Sequence, residues 1–290
     1  MRVLLTGSTG FIGRELAKAL SGRGDQVVAV SRRENSGSVT WDAVEDEVAK
    51  ADAIVHLAGE PVAAGRWTRE RFAAIRSSRV DTTARIARAI VGASRKPAVF
   101  VSGSAVGYYG TRADDRVLDE GSPPGGDELA RVVVDWEAAA SPASAVTRVV
   151  HPRTGIVLGR GGGALAAMTT PFKLFVGGSL GGGKQWLGWV HILDEVRALV
   201  FAIDHATFAG PFNVTAPEPV DMDAFTEALG HALHRPSAMR VPAIALKAAL
   251  GRGLAETLLT GQRAAPRKLL EAGFAFEFPR LEGALASIFE

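Results

Sequence analysis

Gly7, Gly10 and Gly13 stand at three-residue intervals in Leu4-Leu5-Thr6-Gly7-Ser8-Thr9-Gly10-Phe11-Ile12-Gly13. That spacing, between an apolar strand and a helix, suits the binding of a pyrophosphate. Gly7 permits a tight turn, Gly10 lets the backbone approach the ligand, and Gly13 allows the helix to pack closely on the strand. The unpaired N–H groups and positive dipole end of the new helix favour phosphate charge. Gly7, Ser8, Thr9, Gly10, Phe11, Ile12 and Gly13 are therefore the expected cofactor contacts of this turn. About twenty residues further on, an NAD-type site places an acidic residue on the ribose 2′-hydroxyl. Here that place holds Ser31-Arg32-Arg33. Guanidinium forks suit a 2′-phosphate, so NADP(H) is expected in preference to NAD(H). A solvated basic loop is the other reading of an Arg-Arg pair. Leu57-Ala58-Gly59 ends another apolar run, and small residues there leave room for a dinucleotide.

Those residues need parallel strands to carry them. Arg2 to Thr6, Gln26 to Val30, Val39 to Asp42, Ala53 to Gly59, Pro97 to Ser102, Val146 to Val157 and Phe212 to Val214 read as strands. Helical spacing follows the glycine turn from Gly13 to Leu20, and further helices are expected at Thr68 to Val91 and from Asp127 to Glu137. The expected fold is α/β, a Rossmann-type doubly wound parallel sheet with a small, mostly helical C-terminal substrate lobe. Residues 1–159 form its NADP-binding part and 160–183 a glycine-rich segment bracketing an apolar helix, Ala164 to Phe175. Residues 184–214 return to the sheet, and 215–290 form a helical lobe with helices at Met222 to Leu233, Ala243 to Leu250, Ala255 to Leu259 and Pro266 to Ala272.

Composition narrows the chemistry. The 290 residues are 47% hydrophobic and 22% charged, enough for one large core and a lobe. A net charge of +2 makes no electrostatic case for nucleic acid or an anionic membrane. With no cysteine, disulfides, thiolate catalysis and Cys-based metal sites are excluded, and no metal is expected. Redox chemistry would need a bound cofactor. A strand beginning at Arg2 and the lack of a membrane-length apolar run predict a cytoplasmic protein.

Several stretches together carry a resemblance. They are Thr6-Gly7-Ser8-Thr9-Gly10-Phe11-Ile12-Gly13, Leu57-Ala58-Gly59-Glu60-Pro61 with Gly65-Arg66-Trp67, and Ser104-Ala105-Val106-Gly107-Tyr108-Tyr109-Gly110. Asp135-Trp136-Glu137, Arg153-Thr154-Gly155-Ile156-Val157-Leu158-Gly159, Gly183-Lys184-Gln185, Trp189-Val190-His191-Ile192 and Gly210-Pro211-Phe212-Asn213-Val214 complete the set. The chain resembles, over nearly its whole length, the atypical extended short-chain dehydrogenase/reductases known as epimerase family or nucleoside-diphosphate-sugar epimerase-like proteins, some labelled cell-division-inhibitor-like. The resemblance implies that Ser104 hydrogen-bonds a substrate oxygen, with Ser102 at the same strand end near the cofactor. It also implies a Val-Tyr-Gly turn, matched by Tyr109-Gly110 with one extra residue.

Extended reductases use a Tyr-x-x-x-Lys pair, whose phenol, ordinarily near pKa 10, exchanges a proton while hydride moves. Neither of the two tyrosines is followed by lysine at that spacing. By register, Glu128 stands near the usual Tyr place and Val132 near the usual Lys place. The expected catalytic set is thus Ser104, Tyr109 or Tyr108, and Glu128 or a water. Arg153 could face an anionic substrate or serve in an ion pair, Gln185 and Trp186 could reach a ligand, and Asp194 is expected to be architectural. Two functions fit these residues: an NADP(H)-dependent epimerase or oxidoreductase acting on a small hydroxylated, perhaps nucleotide-linked, molecule, or an NADP(H)-sensing binding protein. A homodimer is left open.

Overall fold

A computed structural model describes residues 1–33, 37–63, 65–112 and 114–290. The first part runs β1 (Arg2–Thr6), α1 (Phe11–Gly22), β2 (Gln26–Ser31), β3 (Ser38–Thr40), α2 (Val44–Val48), β4 (Ala53–His56) and α3 (Arg69–Gly92). Next come β5 (Val99–Ser102), β6 (Ser104–Ala105), β7 (Val117–Leu118), α4 (Glu128–Ala140), β8 (Arg148–Thr154) and β9 (Ile156–Leu158). They are followed by α5 (Gly163–Lys173), β10 (Gly178–Leu180), β11 (Trp186–Leu187), β12 (Trp189–His191), α6 (Ile192–Asp204) and β13 (Gly210–Val214). The last part holds β14 (Val220–Asp221), α7 (Met222–Leu233), β15 (Met239–Val241), α8 (Ala243–Leu250), α9 (Arg252–Leu259), β16 (Arg263–Ala264), α10 (Arg267–Glu271) and α11 (Leu281–Phe289).

The main sheet has the order β13-β8-β5-β4-β1-β2-β3, all parallel, with β6 adding beside β8. Its central strands are apolar on both faces because helices cover both, as parallel sheets require. Leu4, Ile54 and Phe100 pack with Ile86, Ile90 and Ala140 on the α3–α4 face, while Val3, Leu5 and Val150 pack with Leu16, Leu20 and Leu199 on the α1–α6 face. The chain reverses its direction of progress across the sheet between β1 and β4, so the crevice at their carboxyl ends is the switch point where such folds bind ligands. Side-chain caps set several helix starts: Asp127 accepts from Ala130 N–H at 2.9 Å and Asp221 from Ala224 N–H at 2.8 Å.

A second core joins Leu158, Trp189, Phe225 and Leu229 with Leu285 and Ile288 of α11. Asp194, fully buried in the first turn of α6, accepts from the N–H groups of Glu277 and Phe278, each at 2.8 Å, and pairs with Arg197 at 3.0 Å. His191 accepts from Leu193 N–H, and its ring lies 4.0 Å from that of Phe278. The His-x-x-Asp stretch therefore ties the C-terminal segment to the sheet.

Three expectations change. Val39–Asp42 is not one strand, since β3 ends at Thr40 and a 3₁₀ turn takes Trp41–Ala43. The apolar run from Val146 to Val157 splits at Gly155, where a side chain would strike the Gly188 carbonyl; β8 stays in the main sheet and β9 leaves to pair with β12. The α5 helix stops at Lys173, with Phe175 at φ 62°.

Candidate dinucleotide crevice and polar cluster

Between β1 and α1 the backbone folds back on itself. Gly10 N–H donates to Gly7 C=O at 2.9 Å, and Gly7 holds φ 75°. A Cβ on Gly7 would come within 2.8 Å of Ala58 N, and one on Gly13 would strike the Gly7 carbonyl. Glycine is required at both places for packing, and at Gly7 for conformation as well. The first turn of α1 has neither a side-chain cap nor an acidic residue, so its leading N–H groups are left for an anion. Phe11 lies against Gly159, Gly162 and Gly163, where a Cβ on Gly159 or Gly163 would meet its ring at 2.9 Å. The glycine-rich segment after β9 is glycine-rich, in part, because that ring occupies the space.

Since β2 pairs directly with β1, Thr6 beside Val30, the β2 tip stands next to the turn. Ser31 accepts from Arg33 N–H at 3.1 Å, and Arg32 and Arg33 are exposed. An exposed guanidinium pair beside a glycine cradle fits an adenosine dinucleotide bearing a 2′-phosphate.

Across β4, a chain of hydrogen bonds fixes the third wall. Ala58 N–H donates to Thr6 Oγ1 at 3.2 Å, which leaves the threonine proton for His56 Nδ1 at 2.6 Å. His56 Nε2–H then donates to Thr82 Oγ1 at 3.0 Å, and Thr82 donates to Ser78 C=O at 2.6 Å. Burial, with a smaller contribution from the Arg79 charge, pushes His56 down to about 3, so the ring is neutral at physiological pH. His56 is thus structural, and it sets the position of Ala58.

Ser104 sits beside Arg153 because β6 and β8 pair in that register. Its hydroxyl donates to Glu137 Oε1 at 2.6 Å. The same carboxylate receives Arg153 Nε at 2.8 Å and Nη2 at 3.0 Å, a bidentate pair in which Arg153 is 2% exposed. Burial opposes the Arg153 charge, but hydrogen bonding and attraction to Glu137 outweigh it and raise the guanidinium above its ordinary value. Arg153 Nη1 also donates to the Tyr109 hydroxyl at 3.2 Å, and Tyr109 donates to Asn213 Oδ1 at 2.7 Å. The Tyr108 ring lies 3.4 Å from the Arg153 guanidinium carbon.

This geometry redistributes the expected roles. Tyr109 is fully buried, and burial pushes its phenol up to about 12 despite Arg153; both hydrogen-bonding positions are filled by protein. Tyr108 is partly exposed and its hydroxyl has no protein partner among the described residues. Glu128 is exposed at the start of α4; the α4 residues facing Gly107 are Leu129 and Val133, four apart. Gln185 donates to the Leu180 and Leu258 carbonyls at 3.0 and 3.2 Å, and Trp186 donates to Asp115 at 2.8 Å under the Arg263 guanidinium. Ser102 is buried, and its hydroxyl has no partner among the described residues. Glu137 and Asn213 are site-building residues to which sequence reasoning gave no role. Their signal was membership of two stretches that carry the resemblance, Asp135-Trp136-Glu137 and Gly210-Pro211-Phe212-Asn213-Val214.

The profile described as NAD dependent epimerase/dehydratase family matches residues 3–215, and a domain of unknown function, DUF1731, matches residues 241–288. Epimerase family protein ML0860 of Mycobacterium leprae is 39% identical over 98% of this chain and 94% of its own length. Epimerase family protein SDR39U1 of Bos taurus is 40% identical over 99% of each chain. The crystal structure of human epimerase family protein SDR39U1 (isoform 2) with NADPH superposes with a TM-score of 0.93 at 38% identity, covering 99% of both chains.

Proposed function

Given that the chain belongs to the NAD dependent epimerase/dehydratase family, we propose that it binds NADP(H) in the β1–β4 crevice and acts as an epimerase or reductase on a small hydroxylated or carbonyl substrate, nucleotide-linked sugars included. The observation that carries the cofactor reading is the glycine cradle with Arg32 and Arg33 at the adjoining strand tip. A relative of 38% identity crystallised with NADPH supports it. Gly7 to Gly13 would hold the pyrophosphate, Ser31 to Arg33 the 2′-phosphate, and Leu57 to Gly59 with Ser102 the inner wall. Bound there, the dinucleotide supplies hydride transfer.

Ser104 is the substrate-contacting group in this reading. Its proton is committed to Glu137, so its two lone pairs are left to accept from a donor, and a substrate hydroxyl is the matching partner. Tyr108 is the phenol whose hydroxyl has no partner among the described residues, and the carboxylate bonded to Ser104 is Glu137 rather than Glu128. A second reading, an NADP(H)-sensing binding protein, is favoured by one observation: Leu129 and Val133, both apolar, occupy the α4 face towards the Ser104–Tyr109 loop.

Fluorescence titration with NADPH and NADH tests the cofactor. NADPH should bind more tightly, and Arg32→Asp should erase that preference; equal affinity in the wild-type protein would refute it. Incubating the NADPH-loaded protein with ketones and sugar nucleotides tests catalysis. Unchanged nicotinamide absorbance and no epimerised product across that panel would favour the sensing function.

A further inference from the structure

Two segments far apart in the chain meet in the connection between β4 and α3. Arg66 donates from Nε to the Ala249 carbonyl at 3.1 Å and from Nη2 to the Ala248 carbonyl. Those are among the last carbonyls of α8, which lack partners inside the helix, and a cation suits the negative end of its dipole. Trp67 is fixed from the other side: its Nε1 donates to the Val62 carbonyl at 2.9 Å, and its ring centre lies 5.5 Å from that of Phe72 on α3. The start of α9 rests on this ring, since a Cβ on Gly253 would meet Trp67 Cε3 at 2.9 Å. Arg66 and Trp67 thus hold the joint between α8 and α9, where Gly251 stands at φ 81°.

The base of the same hairpin is fixed elsewhere. Before α8, the Val241 carbonyl accepts from Gly181 N–H at 2.8 Å. After α9, Gly261 N–H donates to the Arg112 carbonyl at 3.3 Å and Gln262 Nε2 to the Gly110 carbonyl at 2.7 Å. Gly110 and Arg112 belong to the loop that carries the chain away from Ser104 and Tyr109, beyond β5. With its base beside that loop and its joint beside the β4–α3 connection, the hairpin crosses the carboxyl ends of β4 and β5, in front of Ala58 and Ser102. It is lightly held between those ties: α8 buries Leu246 alone, α9 buries Leu254 and Ala255, and Ile244 is 79% exposed. A short element with little burial and glycines at its turns can open without unfolding the rest.

We propose that the α8–α9 hairpin, within the region matched by a domain of unknown function, is a lid over the crevice, latched by Arg66 and Trp67. Arg66 is exposed and bonds neutral carbonyls, so releasing the latch strands no buried charge. Closed, the lid keeps water from the dinucleotide and from Ser104; open, it admits ligand. This role rests on the crevice reading of the proposed function.

The chain contains no cysteine, so Ala58→Cys places a lone thiol beneath the lid. Maleimide labelling of that thiol in ligand-free protein should quicken about tenfold when Arg66→Ala or Gly253→Val opens the latch, and less with Arg66→Lys, which still reaches a carbonyl. Stopped-flow fluorescence of NADPH, in the chain without the thiol, should show association and release both quickened by Arg66→Ala, since a lid gates both directions. Labelling unaltered in a folded latch variant overturns the lid. So does quickened labelling with both NADPH rates unchanged, which would leave the hairpin loose but off the path of the ligand. Quickened release alone also overturns it, because Arg66 would then be a direct cofactor contact. If the wild-type chain binds no NADPH, the cofactor reading fails on its own and thiol labelling decides the lid. Should Ala58→Cys not fold, amide exchange of residues 243–259 in Arg66→Ala replaces it, faster exchange supporting the latch and unchanged exchange overturning it.

Discussion

The carboxylate of Glu137 holds Ser104 and Arg153 at once. Removing it leaves a buried guanidinium without its counter-charge, which typically costs about 3–5 kcal/mol. Glu137→Leu should therefore lower stability by that order in urea unfolding, and Glu137→Leu with Arg153→Met should recover part of the loss, because no buried charge then stands alone. A double variant as unstable as the single one would show that the unpaired Arg153 charge is not the source of the loss. Nothing in the sequence linked Glu137 to Ser104 or Arg153, which lie 33 and 16 residues away. Glu128 was the expected carboxylate because counting along a helix gives candidates without their azimuth. α4 turns Ala130, Val132, Val133 and Trp136 inward, with Trp136 bonded to Thr83 of α3, and that packing leaves Glu128 exposed.

At the scale of elements, the β1–turn–α1 unit is the clearest case of local residues dictating geometry. Gly13 touches the Gly7 backbone, so Gly13→Val should abolish NADPH binding in a fluorescence titration, whereas an exposed glycine with open space around it, Gly22→Ala, should leave it unchanged. The ends of α7 and α8 were also legible, at Met222–Leu233 and Ala243–Leu250, from apolar periodicity closed by a polar start or a glycine stop. By contrast α11 escaped notice: it is nine residues long, with no side-chain cap, and it exists by packing on α7 in the second core. Its anchor is the Asp194 clasp. Asp194→Ala should strip two backbone N–H groups of their acceptor and cost about 2–4 kcal/mol, read as a lower melting temperature with faster amide exchange in residues 277–289.

For the molecule as a whole, two buried groups set opposite limits on pH stability. Burial, partly offset by the Thr154 hydrogen bond, pushes Glu195 up from 4.5 to about 8. Below 4.5 both states hold that proton; as pH rises towards 8 the unfolded chain releases it and the folded chain does not, so stability falls. His56 acts in the other direction, from 6.5 down to about 3: as pH drops through that range the unfolded chain gains a proton the folded chain refuses, and stability falls again. Calorimetry across pH 4 to 9 should show the alkaline decline reduced in Glu195→Gln. An unaltered slope would mean that Glu195 is not the group responsible.

The sequence by itself determined the parallel Rossmann sheet, the glycine turn and the arginine pair at the β2 tip, because each follows from residues adjacent in the chain. Tertiary structure alone decided that Tyr109 is buried and that Glu137 serves Ser104. Those outcomes depend on strand register and helix azimuth, which are fixed by packing between segments far apart in sequence.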